Sequence, residues 1–372
     1  MIKKYRLPYT TDDIEFFHKQ SKKILQRGYL TDGGEYVSKL EDSWSEYVGS
    51  KYCAAVNSCT TALELILKTI GVEGKSVIVP NYTFYASPLS VLNAGGRVVY
   101  SDINPNTLSL DVESIASKVR KDTKAVMIVH VGGFITEEIF KIKKYCEENN
   151  LYLIEDAACA HGSEINGKKA GTIGDISAFS FHHSKVLTSG EGGLITTDNK
   201  EWIDKIKKMR SIGLDRTVNN WEVFELGNNY KMTEITAALG ILHINKAEEI
   251  IGERRKIAEF YNRNIRFNSK FRIMGTECLS SYYKYIAFTD ENTKKELTKF
   301  LLNNGVELPP TVYEYLCSRQ SINHKTNTIN IEDSFPNAEK AMKSNICLPM
   351  YNGLTKKELS KIVDLINEFI EK

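Results

Sequence analysis

The chain has 372 residues, is 42% hydrophobic and 26% charged, and carries a formal net charge of +2. That length suits one large folded unit with a smaller one beside it; the near-neutral balance gives no field to draw nucleic acid or an anionic membrane, and no apolar run approaches the roughly 18 residues of a membrane span. The opening MIKKYRLPYTTDD lacks the apolar core of a secretion signal, and seven scattered cysteines with no CxxC pair point to reduced thiols and a cytoplasmic location.

Taken in order, Thr11 and Asp12 look like caps of a helix running to about Arg27, with Ile14, Phe17, Ile24 and Leu25 near helical spacing. Gly28 to Gly34 is a turn-rich loop before an amphipathic helix that ends near Tyr47. Tyr52 to Val56 reads as a short strand. Asn57-Ser58-Cys59-Thr60-Thr61 then opens a helix, Ala62 to Ile70. Hydroxyl, thiol and amide side chains at such a junction make an anion site, because the free N–H groups and positive helix end favour phosphate. Plain N-capping by Ser58 or Thr60 explains the same residues. Strands are expected at 76–79, 97–101 and 125–130, with helices between them and a further helix from Glu137 to Glu148. Such alternation means an α/β fold with a mostly parallel sheet covered on both faces.

The chemistry gathers between Leu151 and Thr197. The apolar run Leu151 to Ile154 ends in Glu155 and Asp156, a buried strand with a carboxylate at its tip. A second strand, Ile176 to Phe181, leads to Lys185, and a Gly-rich turn, 189–193, feeds a third, Leu194 to Thr197. Ligands of open α/β sheets collect at the carboxyl ends of strands. One ligand would meet both an acid and a lysine there. Pyridoxal phosphate (PLP) uses both: its aldehyde bonds a lysine amine, and its ring nitrogen needs an acid to stay protonated. His182 and His183 with Cys159 suggest a metal. Adjacent histidines on a strand point to opposite faces, however, and no third ligand has sensible spacing, so no metal is expected.

Beyond this stretch, a charged helix runs to about Arg210, and a long helical pattern spans Thr233 to about Ile265. Its Arg254-Arg255-Lys256 run reads as a solvated face. A strand at Ile286 to Thr289 and helices at Thr293 to Asn303 and from Thr355 suggest a smaller unit. The expected division is a large domain, 1–250, with an N-terminal helical segment, and a small C-terminal α+β domain, 251–372.

Six segments in order and spacing carry a resemblance: SCTTAL (58–63), PNYTFYAS (80–87), EDAACAHGS (155–163), FSFHHSKVLTSGEGG (179–193), GNNYKMTE (227–234) and CLPMYNGLT (347–355). Nearly end to end, the chain resembles the DegT/DnrJ/EryC1/StrS family, PLP-dependent sugar aminotransferases of the aspartate aminotransferase fold, fold type I. By that resemblance Lys185 matches the Schiff-base lysine and Asp156 the acid on the pyridine nitrogen. Burial is expected to lower the Lys185 pKa and free it as nucleophile and proton shuttle. Glu155, on the other side of the strand, is read as structural. Ala158 and Phe84 match the two faces of the cofactor ring. Thr60 and Ser180 match the hydroxyls around its phosphate, with backbone N–H donors from Cys59 and Thr60. Asn229 matches a residue that reaches the phosphate from a neighbouring subunit, implying a homodimer with a shared active site.

Three positions depart from the family's pattern: Cys59 for glycine, Lys231 for arginine, and Cys159 where glutamine or histidine meets the cofactor's hydroxyl edge. The implied activity is transfer of an amino group from L-glutamate to a nucleotide-linked keto-sugar, a 4- or 3-keto-6-deoxyhexose, in polysaccharide biosynthesis. Lys185 in place of histidine argues against the related sugar dehydratases, and the Lys185–Asp156 pair against a catalytically silent scaffold. Sugar and nucleotide contacts are expected at Gly28 to Gly34 and around Tyr313 to Arg319.

Overall fold

Continuous runs of Val, Ile, Leu and Ala can bury both faces of a strand, and such runs make the main sheet of this computed structural model, which describes residues 1–5, 9–31, 34–215, 218, 221–275 and 277–371. The strands are β1 (Tyr52–Val56), β2 (Ser76–Pro80), β3 (Arg97–Ser101), β4 (Thr123–Val129) and β5 (Tyr152–Asp156). After a hairpin of β6 (Glu164–Ile165) and β7 (Lys168–Lys169) come β8 (Ile176–Ser180) and β9 (Gly193–Thr197). Their order is β1-β9-β8-β5-β4-β2-β3. β8, β5, β4, β2 and β3 are parallel, while β9 runs against both β8 and β1. Period-two alternation splits each strand between two cores: Val77, Val79, Ala125 and Met127 face one, Ile78, Val126 and Ile128 the other. The central position of β5 puts Asp156 in the middle of the carboxyl edge.

Helices α1 (Thr11–Arg27), α2 (Glu35–Val48), α3 (Cys59–Ile70), α4 (Ala86–Asn93), α5 (Val112–Ala116), α6 (Glu138–Glu148), α7 (Lys200–Met209), α8 (Glu234–Asn245) and α9 (Ala247–Asn264) accompany this sheet. The cap of α1 is Thr10, not Thr11 or Asp12. Its hydroxyl accepts from the Asp13 N–H while the Asp13 carboxylate accepts from the Thr10 N–H, a reciprocal box that leaves Thr11 and Asp12 inside the first turn. The helix expected from Ala62 begins at Cys59, since the Ser58 hydroxyl takes the Thr61 N–H. The long pattern from Thr233 is two helices, because Lys246 leaves helical geometry (φ −108°, ψ 11°). That break lets α8 stay against α1 and α2 while α9 runs on to a third core through Ile257, Ala258 and Tyr261.

The third core is covered by an antiparallel sheet, β10 (Arg272–Ile273), β11 (Tyr285–Phe288) and β12 (Asn345–Leu348), with α10 (Glu291–Asn303), α11 (Pro336–Ser344) and α12 (Lys356–Glu371). Of the Arg254-Arg255-Lys256 run, Lys256 is exposed as expected, but the two arginines are not a solvated face. Arg254 is buried, donating from Nε to Tyr282 O (3.0 Å) and from Nη2 to Tyr283 O (3.1 Å) and Met350 O (2.9 Å). Arg255 donates to the carbonyls of Gly162, Leu279 and Ser280. Carbonyls of this non-helical segment need donors, and the arginines supply them. Burial pushes the Arg254 guanidinium down to about 10.

Glu155 is structural, as expected. Fully buried, it accepts from His130 Nε2 (2.8 Å), from the N–H groups of Gly171 (2.9 Å), Ile173 (2.8 Å) and Gly174 (2.6 Å), and from Ser177 Oγ (3.2 Å). Burial by itself would raise its carboxyl pKa. The His130 bond and the backbone donors outweigh that, and the carboxyl is held below its ordinary 4.5. Its stabilisation is therefore present above the unfolded value and is lost as pH falls through the folded one. Glu155→Ala is expected to cost about 3–5 kcal/mol at neutral pH. In urea titrations the gap from the wild type should narrow as pH drops below 4.5; a gap independent of pH would overturn this account.

Candidate active site

A cavity of about 540 Å³ opens at the carboxyl edge of the main sheet. Cys59, Thr60, Phe84, Asp156, Ala158, Cys159, Ser180 and Lys185 all line it, although their elements are spread over more than a hundred residues. Asn229 does not. It is exposed, outside the cavity, and its N–H bonds its own neighbour, Asn228 Oδ1, at 2.7 Å.

Asp156 ends β5 and is buried. Its Oδ2 accepts from Ser87 Oγ (2.7 Å) and its Oδ1 from the Ala158 N–H (3.2 Å). Burial raises the carboxyl pKa above its ordinary value, more than Ser87, Ala158, Lys185 and His130 together lower it. A buried acid so placed lacks a cationic partner, and a protonated ring nitrogen would be one.

Lys185 sits in a loop after β8, closed by the Phe181 N–H on Gly192 O and the Ser189 N–H on Phe181 O, both at 2.9 Å. Its Nζ donates to Cys159 Sγ at 3.2 Å and stands 4.7 Å from the centre of the Tyr283 ring. Its pKa is not lowered as expected. Burial does push it down, but Cys159 and Tyr283 push it up further, and the net direction is upward.

The N-terminus of α3 faces the same cavity. Ser58 caps the Thr61 N–H, while the N–H groups of Cys59 and Thr60 have no acceptor among the described residues. With the Thr60 and Ser180 hydroxyls beside them, they suit a phosphate. β9 passes close beneath. A Cβ on Gly193 would come within 2.7 Å of the Cys59 nitrogen, so that position must be glycine. Ala158 and Phe84 also line the cavity, and the Phe84 ring is 60% exposed, open to stacking. A buried acid, a lysine, a bare helix end and an open aromatic together fit PLP.

The histidine pair behaves differently from its expected geometry. The strand ends at Ser180, so His182 and His183 do not point to opposite faces; their rings lie 4.0 Å apart. No cluster of three or more His, Cys, Asp or Glu able to hold a metal occurs among the described residues. Of the regions expected to meet sugar and nucleotide, Tyr313, Glu314 and Tyr315 line the cavity, whereas Arg319 is ion-paired with Glu339 at the surface. In the Gly28 to Gly34 loop, Asp32 and Gly33 lie outside the described residues, and Tyr29 borders a separate cleft with Lys207 and Arg210.

Sequence reasoning passed over Ser87, His130 and Tyr283. Ser87 lies within the PNYTFYAS segment, which was its one available signal. His130 lines the cavity while holding Glu155, and its N–H donates to Asp156 O at 3.1 Å. Tyr283 comes from the segment before β11, with no pattern to mark it.

Comparison with known proteins agrees with this geometry. The sequence model of the DegT/DnrJ/EryC1/StrS aminotransferase family matches residues 11–367. The chain is 31% identical over 352 residues to the GDP-perosamine synthase of Vibrio cholerae, covering 93% of this chain and 94% of that one. It is 31% identical over 363 residues to the UDP-4-amino-4,6-dideoxy-N-acetyl-beta-L-altrosamine transaminase of Campylobacter jejuni, covering 94% and 93%. Among solved structures, the aminotransferase TlmJ from Streptoalloteichus hindustanus matches with a TM-score of 0.89 at 25% identity, over 100% of this chain and 99% of that one.

Proposed function

This chain belongs to the DegT/DnrJ/EryC1/StrS aminotransferase family and is a PLP-dependent aminotransferase, and on that premise we propose that it carries an amino group from L-glutamate to the keto carbon of a nucleotide-linked 6-deoxysugar. The observation that carries the reading is the convergence of Lys185, Asp156 and the bare end of α3 on one cavity. The Campylobacter relative is named for a 4-amino-4,6-dideoxy sugar, which supports C4 as the carbon aminated.

When bound, PLP supplies an aldehyde for a lysine amine and a ring that takes up electrons released at the donor's α-carbon. Lys185 holds the cofactor through Nζ and, once displaced, moves the proton at that α-carbon. Asp156 keeps a negative charge against the ring nitrogen. The Cys59 and Thr60 N–H groups, with the Thr60 and Ser180 hydroxyls, bind the phosphate. Ala158 and Phe84 bracket the ring, and Cys159 lies at its edge. Tyr313, Glu314 and Tyr315 stand where an incoming sugar would pass.

The same reading includes a homodimer in which Asn229 completes the partner's site. Support comes from exposed apolar side chains just before it: Trp221 is 84% exposed and Leu226 89%, with Val223 and Phe224 between them. Such a cluster in one stretch is the kind of surface a subunit interface would cover. The passage of α9 from the second core to the third supports a division of the chain near residue 250. No helix among the described residues is long and apolar enough to cross a membrane; a cytoplasmic location belongs to this proposal.

A visible absorption spectrum of the PLP-loaded protein tests the donor half. The cofactor band should bleach on adding L-glutamate and return on adding the correct keto-sugar. A band indifferent to glutamate would reject that donor. For the shared site, Lys185→Ala and Asn229→Ala proteins, each inactive, should regain activity when mixed; no recovery would reject it.

A further inference from the structure

Lys185 has neighbours to which amino transfer gives no task. Cys159 follows β5 by three residues and Tyr283 precedes β11, and between them they give its Nζ a thiol at 3.2 Å and a ring face at 4.7 Å. Neither neighbour is loose. The Tyr283 carbonyl takes the buried Arg254 Nη2 at 3.1 Å, and the Cys159 carbonyl takes Ser281 Oγ at 3.4 Å. The Ser163 and Ser280 hydroxyls both donate to Gly133 O, at 2.6 and 2.8 Å, tying the segments that carry Cys159 and Tyr283 to one carbonyl. An aromatic face attracts an ammonium through its quadrupole, and a thiol sulfur accepts a weak hydrogen bond from it. The nearby acid, Asp156, is engaged by Ser87 and Ala158 and makes no direct bond to Nζ. Two soft contacts can hold a cation and still release it, which a paired carboxylate would do less readily.

We propose that Cys159 and Tyr283 form a resting cradle for the Lys185 ammonium, occupied whenever the lysine is not bonded to the cofactor. The inference rests on Lys185 being the cofactor lysine. A lysine held as its cation cannot attack an aldehyde until it loses a proton, so the cradle sets the pH at which the empty protein captures PLP. It also keeps the displaced lysine in the cavity during the half of the cycle when the amino group is on the cofactor. Cys159 is thus a contact of the reacting nitrogen itself, at the position where the family's pattern is broken.

The test mixes cofactor-free protein with PLP and follows growth of the visible band from roughly pH 7 to 10, below the midpoint of lysine deprotonation, where the capture rate tracks the small fraction of free amine. Tyr283→Leu and Cys159→Ala should each move the midpoint of the rate profile down by about one unit, which is about tenfold faster capture below the midpoint. Tyr283→Phe keeps the ring and should follow the wild type. Capture rates equal to the wild type across this range in both Tyr283→Leu and Cys159→Ala, with a normal band, would overturn the cradle alone, and a Tyr283→Phe acceleration as large as that of Tyr283→Leu would overturn its ring face. A wild type that gains no band, or a Lys185→Ala protein that does, would instead sink the assignment of Lys185 and the cradle with it.

Discussion

Lys185→Ala is expected to lower transamination by at least about 1,000-fold and to remove the visible band, while PLP still binds without a covalent bond. The two effects separate because the proposed contacts are separate. In the proposed arrangement the α3 N-terminus and the Thr60 and Ser180 hydroxyls would bind phosphate without help from the lysine, and Asp156 would hold the ring nitrogen. What the variant would lose is the amine proposed to bond the reacting carbon and to move a proton there. Lys284 also lines the cavity but cannot substitute: its Nζ donates to the Pro310 and Thr311 carbonyls, at 2.8 Å each. Equilibrium dialysis against PLP, beside the spectrum, checks the separation. A band that survives in Lys185→Ala would move the covalent role to another lysine.

The parts of the fold legible in the sequence are those that depend on nearest neighbours. A parallel strand buried on both faces is an apolar run bounded by turn residues, so β1 and β3 occupy the residues expected of them. An acid and a lysine just past two such runs had to emerge at the carboxyl edge, and they line the same cavity. What escaped depends on partners distant in sequence. α11 starts where the Asp102 carboxylate accepts from the Asn337 and Ala338 N–H groups, a cap supplied from across the chain. β12 is four residues long with no alternation to betray it. Arg254 looked solvent-facing because nothing local announces the carbonyls it serves. The Lys185 pKa was misjudged for the same reason. Burial acts in the expected direction, but the direction of the sum is decided by Cys159 and by Tyr283, which lies 98 positions further on. The reversed direction of β9, by contrast, has a local cause, the short Gly-rich return that joins it to β8.

Asp156→Asn is expected to slow the glutamate half-reaction about 1,000-fold, the scale for losing one preorganised charge opposite developing charge. The change is nearly isosteric. The amide oxygen can still accept from the Ala158 N–H, and the Ser87 hydroxyl can turn to accept where it now donates, so the local geometry survives. Only the charge is lost, and a neutral amide cannot hold a ring nitrogen protonated. Stability should move the other way. In the cofactor-free protein burial raises the Asp156 pKa above its ordinary 3.8, so the folded chain holds this proton more tightly than the unfolded one. The contribution of Asp156 to folding stability is therefore greatest at low pH and is lost as pH rises through the folded value, where the buried carboxylate ionises. At neutral pH the cofactor-free Asp156→Asn protein should resist urea at least as well as the wild type. The two should converge as pH approaches 3.8, where the wild-type carboxyl is protonated as well. With PLP bound the order should reverse, because the ring nitrogen supplies the cation that the ionised carboxylate lacks. Urea midpoints with and without PLP, set beside stopped-flow bleaching rates, measure both sides. A variant less stable than the wild type without cofactor would mean that Asp156 is a structural acid, and its cost to catalysis would then be a cost of folding.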